Sequence, residues 1–429
     1  MPASSSVKRN PADSAAAKTS RGAIRCRFCG AALDHEIIDL GTTPLCENLR
    51  RQETPDAAET YYPLRLMRCR SCGLTQLSVS ADPQEIFREY PYFSSVSSSW
   101  VAHAKQLVQS MDARLSLNGK VVIEVASNDG YLLKHAKVAG ARVLGIEPAL
   151  NVASVARSLG IETISKFLDA AVADEIVDQH GSASWLVANN VIAHVPDLNG
   201  FVSGLEKLLA QDGVLTIEIP HLMQLLANRQ FDTIYHEHYC YFSLAALTRV
   251  LAQHGLEVFD VEELKSHGGS LRVYAAHTGQ AAWDGSRNVA ALLAREREFG
   301  LEDDWVYDQF AADVNDTRRK LLSFLLNLQE DGKTVAGYGA PGKATTLLHA
   351  CGIDKHLLPW TVDRNTYKQG HAIPGTGIEI RKPDEILKEQ PDFVLILAWN
   401  LAREITQQMK AVESWGGRFV IPIPQLTIL

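Results

Sequence analysis

The chain reads as an α/β protein built on two parallel sheets, with a small cysteine-pinned module in front. Three observations predict this. Short β-branched runs alternate with helical patterns from residue 120, as in KVVIEVASNDG (120–130), and again from residue 333, as in KTVAGYG followed by PGKATTLLHAC. Four of the seven cysteines form two C-x-x-C pairs ahead of both stretches. The 429 residues have room for several domains. The expected division is a disordered tail (1–23), the cysteine module (24–80), a first sheet domain (81–285) and a second, smaller one (286–429).

Composition narrows the possible roles. Apolar residues make up 46% and charged residues 21%, as in ordinary soluble proteins. A net charge of −8 supplies no global basic field for nucleic acid or anionic lipid. No apolar run nears the roughly 18 residues of a membrane span. The first 23 residues are rich in Ala, Ser and Lys and lack the apolar centre of a signal peptide. A cytoplasmic monomer is the expected state.

The cysteine pairs read CRFCG and CRSCG, each with a glycine after its second cysteine. Cys26, Cys29, Cys69 and Cys72 can offer four thiolates to one Zn²⁺. Four thiolates close the coordination sphere, so the expected zinc is structural. A small β-rich region must fill residues 30–68. Cys46, in TPLCEN, stands outside the set. Zinc ribbons often bind nucleic acid, but no Lys/Arg cluster with interleaved aromatics lies near these knuckles.

In the middle, Val121 to Val125 form a buried strand, followed by a turn and a helical pattern from Tyr131. The turn lacks G-x-G-x-x-G, which disfavours a dinucleotide. A second strand, RVLGIEP, ends in Glu147 about 20 residues after that turn, where a carboxylate can accept both hydroxyls of a ribose. Ser184 to Ala188 continue the sheet, and Asn189 and Asn190 emerge at its carboxyl edge. GVLTIEIP, GLEVFDVEEL and GGSLRVYAA add further strands. The central unit is thus Rossmann-like.

Together EVASNDG, GIEP, ANNVIAHV and HGGSLR resemble the S-adenosylmethionine-dependent C-methyltransferases that act on nucleotide-linked deoxysugars. The likeness covers nearly everything after the tail and is closest to the sugar C-3 methyltransferases of antibiotic biosynthesis, as in the making of D-tetronitrose. It implies a class I methyltransferase sheet, S-adenosylmethionine as methyl donor and a dTDP-linked 4-keto sugar as substrate. It further implies donor binding by Tyr90 and Tyr92 (an aromatic lid, in FREYPYFSSVSSSW), Glu124, Ser127, Asn128, Asp129, Gly130, Glu147, Pro148, Asn189 and Asn190.

Methylating carbon requires a carbanion, and the C-3 proton of a 4-keto sugar is acidified by the neighbouring carbonyl. Residues 231–243, FDTIYHEHYCYFS, hold groups suited to its removal. Cys240 stands where H-E-x-x-H needs its second histidine, so a zinc-protease site is excluded. A histidine can act as base near neutral pH, a carboxylate can set its tautomer, and a tyrosine hydroxyl can steady the oxyanion. The resemblance puts the base at His238, with Tyr235 and Glu237 beside it and His194 nearby. An extended segment would place His236 and His238 on one side and Tyr235 and Glu237 on the other, so joint action requires a loop.

Residues 291–331 carry one long amphipathic helical pattern that bridges to the second Rossmann-like unit. There GYGAPGKATT (337–346) comes one residue short of a phosphate-binding loop: Ala344 replaces the hydroxyl that holds Mg²⁺. This argues against ATP hydrolysis. The helix start can instead cradle part of a sugar nucleotide, with Lys343 as counter-charge. Asp363, Asn365, Lys368 and His371 are expected to line the same cleft, Trp399 and Asn400 to meet the base, and His236 and His267 to touch substrate. Two other readings compete: a nucleic-acid methyltransferase guided by the zinc module, which needs a basic face, and a non-catalytic nucleotide-sugar-binding protein, which the intact acidic Glu147 disfavours.

Overall fold

The structure is a computed structural model and describes residues 24–51, 58–79, 81–87 and 92–429. The expected tail and Tyr90 lie outside these residues.

The central sheet has seven strands: β1 (Val121–Val125), β2 (Arg142–Ile146), β3 (Thr163–Ile164), β4 (Ala183–Asn189), β5 (Leu209–Pro220), β6 (Leu256–Leu264) and β7 (Ser270–His277). Their order is β6-β7-β5-β4-β1-β2-β3. β1 to β5 run parallel, while β7 runs antiparallel between β5 and β6. Alternation along β1 shows how the sheet is clothed. Val122 packs with Leu107, Val108 and Met111 of helix Ser98–Leu115 on one face. Ile123 and Val125 join the opposite face with Ala173, Ile176, Phe201 and Leu205. Ser97 caps helix Ser98–Leu115, its side chain accepting from Trp100 N at 3.3 Å.

The first sheet pairs His35–Thr43 with Tyr62–Arg68, then Thr75–Leu77, and is completed from far down the chain by Cys240–Tyr241. The third sheet centres on Val335–Tyr338 between Phe393–Ile396 and Trp360–Val362, all parallel. Its far edge is Arg50–Arg51, paired with His371–Ala372. Both early and late segments therefore lend a strand to a distant unit.

The long helical pattern is two helices, Ser286–Phe299 and Trp305–Glu330, broken where Gly300 takes φ 91°. The turn between them docks on the first sheet: Arg68 donates to Leu301 O, Glu302 O and Asp304.

Candidate active site and metal centre

In each C-x-x-C-G knuckle the glycine takes a left-handed conformation, φ 72° at Gly30 and 78° at Gly73. Each glycine N–H returns to the first cysteine carbonyl, at 3.0 and 2.8 Å. This folds the four thiols inward, with Cys26 Sγ 3.6 Å from Cys72 Sγ and Cys29 Sγ 3.5 Å from Cys69 Sγ. All four sulfurs lie within 4.8 Å of one another. Tetrahedral Zn–S bonds of about 2.3 Å require similar spacing, so the set fits Zn²⁺. Gln76 Nε2 donates to Cys26 Sγ at 3.1 Å.

The carboxyl edge of β1, β2 and β4 is strained and polar. Ala126, Asn128 and Asn190 take φ of 56°, 49° and 52°, and such outliers gather where a backbone is shaped for a ligand. Glu147 sits at the end of β2, accepting from Asn128 N at 3.0 Å and Ala149 N at 2.8 Å. Burial raises its carboxyl to about 7. Burial also raises Glu124 far above the carboxylate range. Ser127 Oγ, Asp129 Oδ1 and Asn189 Oδ1 are buried with no partner in the protein. Unsatisfied atoms of this kind suit a ligand bearing amine, carboxylate and hydroxyl groups. Gly130 lets the turn close, since a Cβ there would lie 2.5 Å from Ile161 Cδ1. Pro148 is half-buried beside Glu147. Residues 92–95 fold over the turn: Asn128 Nδ2 donates to Tyr92 O, and Ser94 N and Ser95 N donate to Asn128 and Asp129. Asn128 and Asp129 thus use part of their capacity to hold this cover.

The segment after the short turn Phe231–Thr233 is a loop, as joint action requires. His238 Nδ1 lies 3.1 Å from Thr233 O, so it carries the proton and donates it there. Nε2 is left as acceptor for the Tyr235 hydroxyl at 3.0 Å. The His194 ring centroid is 4.7 Å away. Burial, then His194, holds the His238 pKa well below the usual histidine value, and burial lowers His194 to about 4. Both imidazoles are neutral at pH 7.

Two expectations for this loop change. Glu237 does not set the tautomer of His238; its carboxylate turns away to accept from Cys46 Sγ at 3.1 Å. Burial, reinforced by Glu47, pushes Glu237 up to about 7. His236 does not join the cleft either: it is fully buried, with Nε2 3.2 Å from Pro63 O and its ring against Tyr62.

The C-terminal unit supplies the opposite wall. Lys343 Nζ donates to Asn400 Oδ1 at 2.7 Å and lies 3.7 Å from the Trp399 ring centroid. Trp399 Nε1 donates to Asp232 Oδ2 at 2.6 Å, linking this wall to the loop that carries His238. Burial lowers Lys343 to about 8 despite the attraction of Asp232. His267 is exposed, with φ 53°, and its ring lies 5.2 Å from Trp100.

The glycine turn itself is occupied by the chain, contrary to the expected diphosphate cradle. Ala340 N donates to Asp363 Oδ2 at 2.7 Å. A Cβ on Gly342 would meet Glu47 Oε1 at 2.9 Å and Cys46 Sγ at 3.1 Å. Lys368 neutralises Glu47 at 3.1 Å and donates to Ala340 O. Asp363 also receives Asn365 N at 2.8 Å. Asp363 thus takes one N–H of the turn and Glu47 packs beside Gly342, and Asp363, Asn365 and Lys368 serve the turn. His371 lies on the strand that pairs with Arg50–Arg51.

Asp232, Thr233, Tyr241 and the pair Cys46–Glu47 escaped sequence reasoning. Tyr241 was within reach, because it sits in the same aromatic stretch and its hydroxyl accepts from Tyr235 N at 3.2 Å. Cys46 and Glu47 carried no local signal.

Comparison with known proteins fits this geometry. Residues 26–87 match a zinc binding domain, 101–261 a methyltransferase domain and 265–424 a C-methyltransferase C-terminal domain. C-methyltransferase NovU of Streptomyces niveus is 39% identical over 405 residues, 94% of this chain and 96% of that protein. Similar solved structures include a 1,6-didemethyltoxoflavin N1-methyltransferase from Burkholderia thailandensis (16% identity, TM-score 0.35, 48% of this chain and 96% of that one). Magnesium protoporphyrin IX methyltransferase from Synechocystis PCC 6803 is another (16% identity, TM-score 0.34, 47% of this chain and 99% of that one). With NovU matched along nearly the whole of both chains, and three domain families in register from end to end, this chain belongs to the S-adenosylmethionine-dependent C-methyltransferases.

Proposed function

We propose that the chain methylates C-3 of a dTDP-linked 4-keto deoxysugar, bearing an amino or hydroxyl group at that carbon, in antibiotic deoxysugar biosynthesis. His238 is the base. The observation that carries this reading is the neutral, buried His238 with its Nδ1–H tied to Thr233 O and its Nε2 open towards a single hydroxyl, that of Tyr235.

One hydroxyl there faces two acceptors. When the 4-oxo group of the sugar reaches Tyr235, the phenol proton turns to that oxygen, and Nε2 is released. The C-3–H bond then breaks, its proton goes to Nε2 and its electron pair enters the enolate, whose oxygen Tyr235 steadies. That electron pair would form the new carbon–carbon bond as the donor's methyl–sulfur bond breaks and its pair stays on sulfur. S-adenosylmethionine supplies the electrophilic methyl group when bound. Glu147 is suited to hold its ribose, and Glu124, Ser127, Asp129, Gly130 and Asn189 its amino-acid end. Asp232, Lys343 and Trp399 close the cleft from the other side and keep water from the enolate.

The test is proton exchange in deuterated water, read by mass spectrometry and NMR on a panel of dTDP-4-keto sugars. His238→Asn is expected to slow exchange at C-3 by about 10²-fold or more. Undiminished C-3 exchange in the variant removes His238 from the base role. Both C-3 and C-5 flank the carbonyl, and wild-type exchange confined to C-5 moves the methylated carbon there.

A further inference from the structure

The loop that bears His238 is held chiefly by the zinc module. His236 reaches Pro63, and Glu237 reaches Cys46. Leu77 N donates to Tyr239 O at 3.0 Å, and the Arg27 guanidinium lies 5.4 Å from the Tyr239 ring centroid. Cys240 and Tyr241 pair antiparallel with Gln76 and Thr75. Of residues 235–241, this leaves Tyr235 and His238 to face each other, with ring centroids 4.1 Å apart.

Gln76 stands where these ties converge. It is fully buried. Its Nε2 donates to Cys26 Sγ at 3.1 Å, its Oε1 accepts from Arg27 N at 2.9 Å, and its backbone pairs with Cys240, two residues after the imidazole. An amide N–H on a thiolate is a charge-assisted bond, and a ligand's outer partner fixes its orientation. We propose that Gln76 is a positioning residue for methyl transfer: it locks strand Thr75–Leu77 to the thiolate cluster, and the strand sets the register of Cys240–Tyr241 and so the tautomer of His238. The catalytic half of this statement rests on His238 being the base.

The experiment uses the full zinc-loaded chain and the near-isosteric variant Gln76→Leu. Arg27→Ala, at a half-buried position that touches the same strand through Leu77 O, serves if the first variant loses zinc. Zinc content and S-adenosylmethionine affinity by calorimetry are expected to match wild type. The ¹⁵N spectrum of the His238 ring is expected to lose its single Nδ1–H form, and kcat to fall by about 10–100-fold with KM little changed. A wild-type ring spectrum together with a wild-type kcat overturns the proposal. A changed spectrum with an unchanged kcat upholds the register link and instead overturns His238 as base, which the exchange experiment on His238→Asn checks independently.

Discussion

Burial pushes the Glu237 carboxyl up to about 7, so it is half protonated near pH 7, and pushes the adjacent His238 imidazole down, so that ring is neutral there. Their effects on stability have opposite signs. Glu237 has a folded value above its unfolded one of about 4.3, so it favours the folded state at low pH and that contribution is lost as pH rises through 7. His194, lowered to about 4, contributes fully above about 6.5 and loses that contribution as pH falls towards 4. Glu237→Gln is therefore expected to raise stability at pH 8 by about 2–4 kcal/mol and to change little at pH 4.5, measured by urea unfolding at the two pH values. Residue types in FDTIYHEHYCYFS pointed to the proposed acid–base chemistry before any geometry. Their partners did not follow, because the turn at His236–Glu237 abolishes the alternation of an extended segment and sends both side chains into the N-terminal module.

At the level of elements, the longer strands β1, β2, β4, β5, β6 and β7 were legible as apolar runs with polar ends, while their order in the sheet is defined by pairing. The two-residue strands were invisible. Arg50–Arg51 and Cys240–Tyr241 are too short for any periodicity, and only long-range pairing defines them. The break at Gly300 was hidden for another reason: apolar spacing stays helical on both sides of it. The turn after β1 is the element most open to test. Gly130 combines φ 79° with a Cβ position 2.5 Å from Ile161. Gly130→Ala is expected to cost about 1–3 kcal/mol in chemical unfolding and to weaken S-adenosylmethionine binding in calorimetry.

Across the whole molecule, the Asp232–Trp399–Lys343 contact fastens the C-terminal unit to the loop that bears His238. Trp399→Phe keeps the ring over Lys343 but removes the donor from a fully buried carboxylate. The expected cost is about 1–3 kcal/mol, with a raised KM for the nucleotide sugar and unchanged affinity for the methyl donor. Steady-state kinetics beside calorimetry separates the two.

The lending of strands between distant units bears on how the chain is made. When a ribosome has released residues up to 80, the strand Thr75–Leu77 still presents a bare row of amides, and it stays bare until Cys240 and Tyr241 emerge. Arg50 and Arg51 wait longer still, for His371. A newborn chain thus carries two sticky edges until Cys240 and Tyr241 emerge and one of them on to His371, and a fragment cut off at residue 80 would keep both for good.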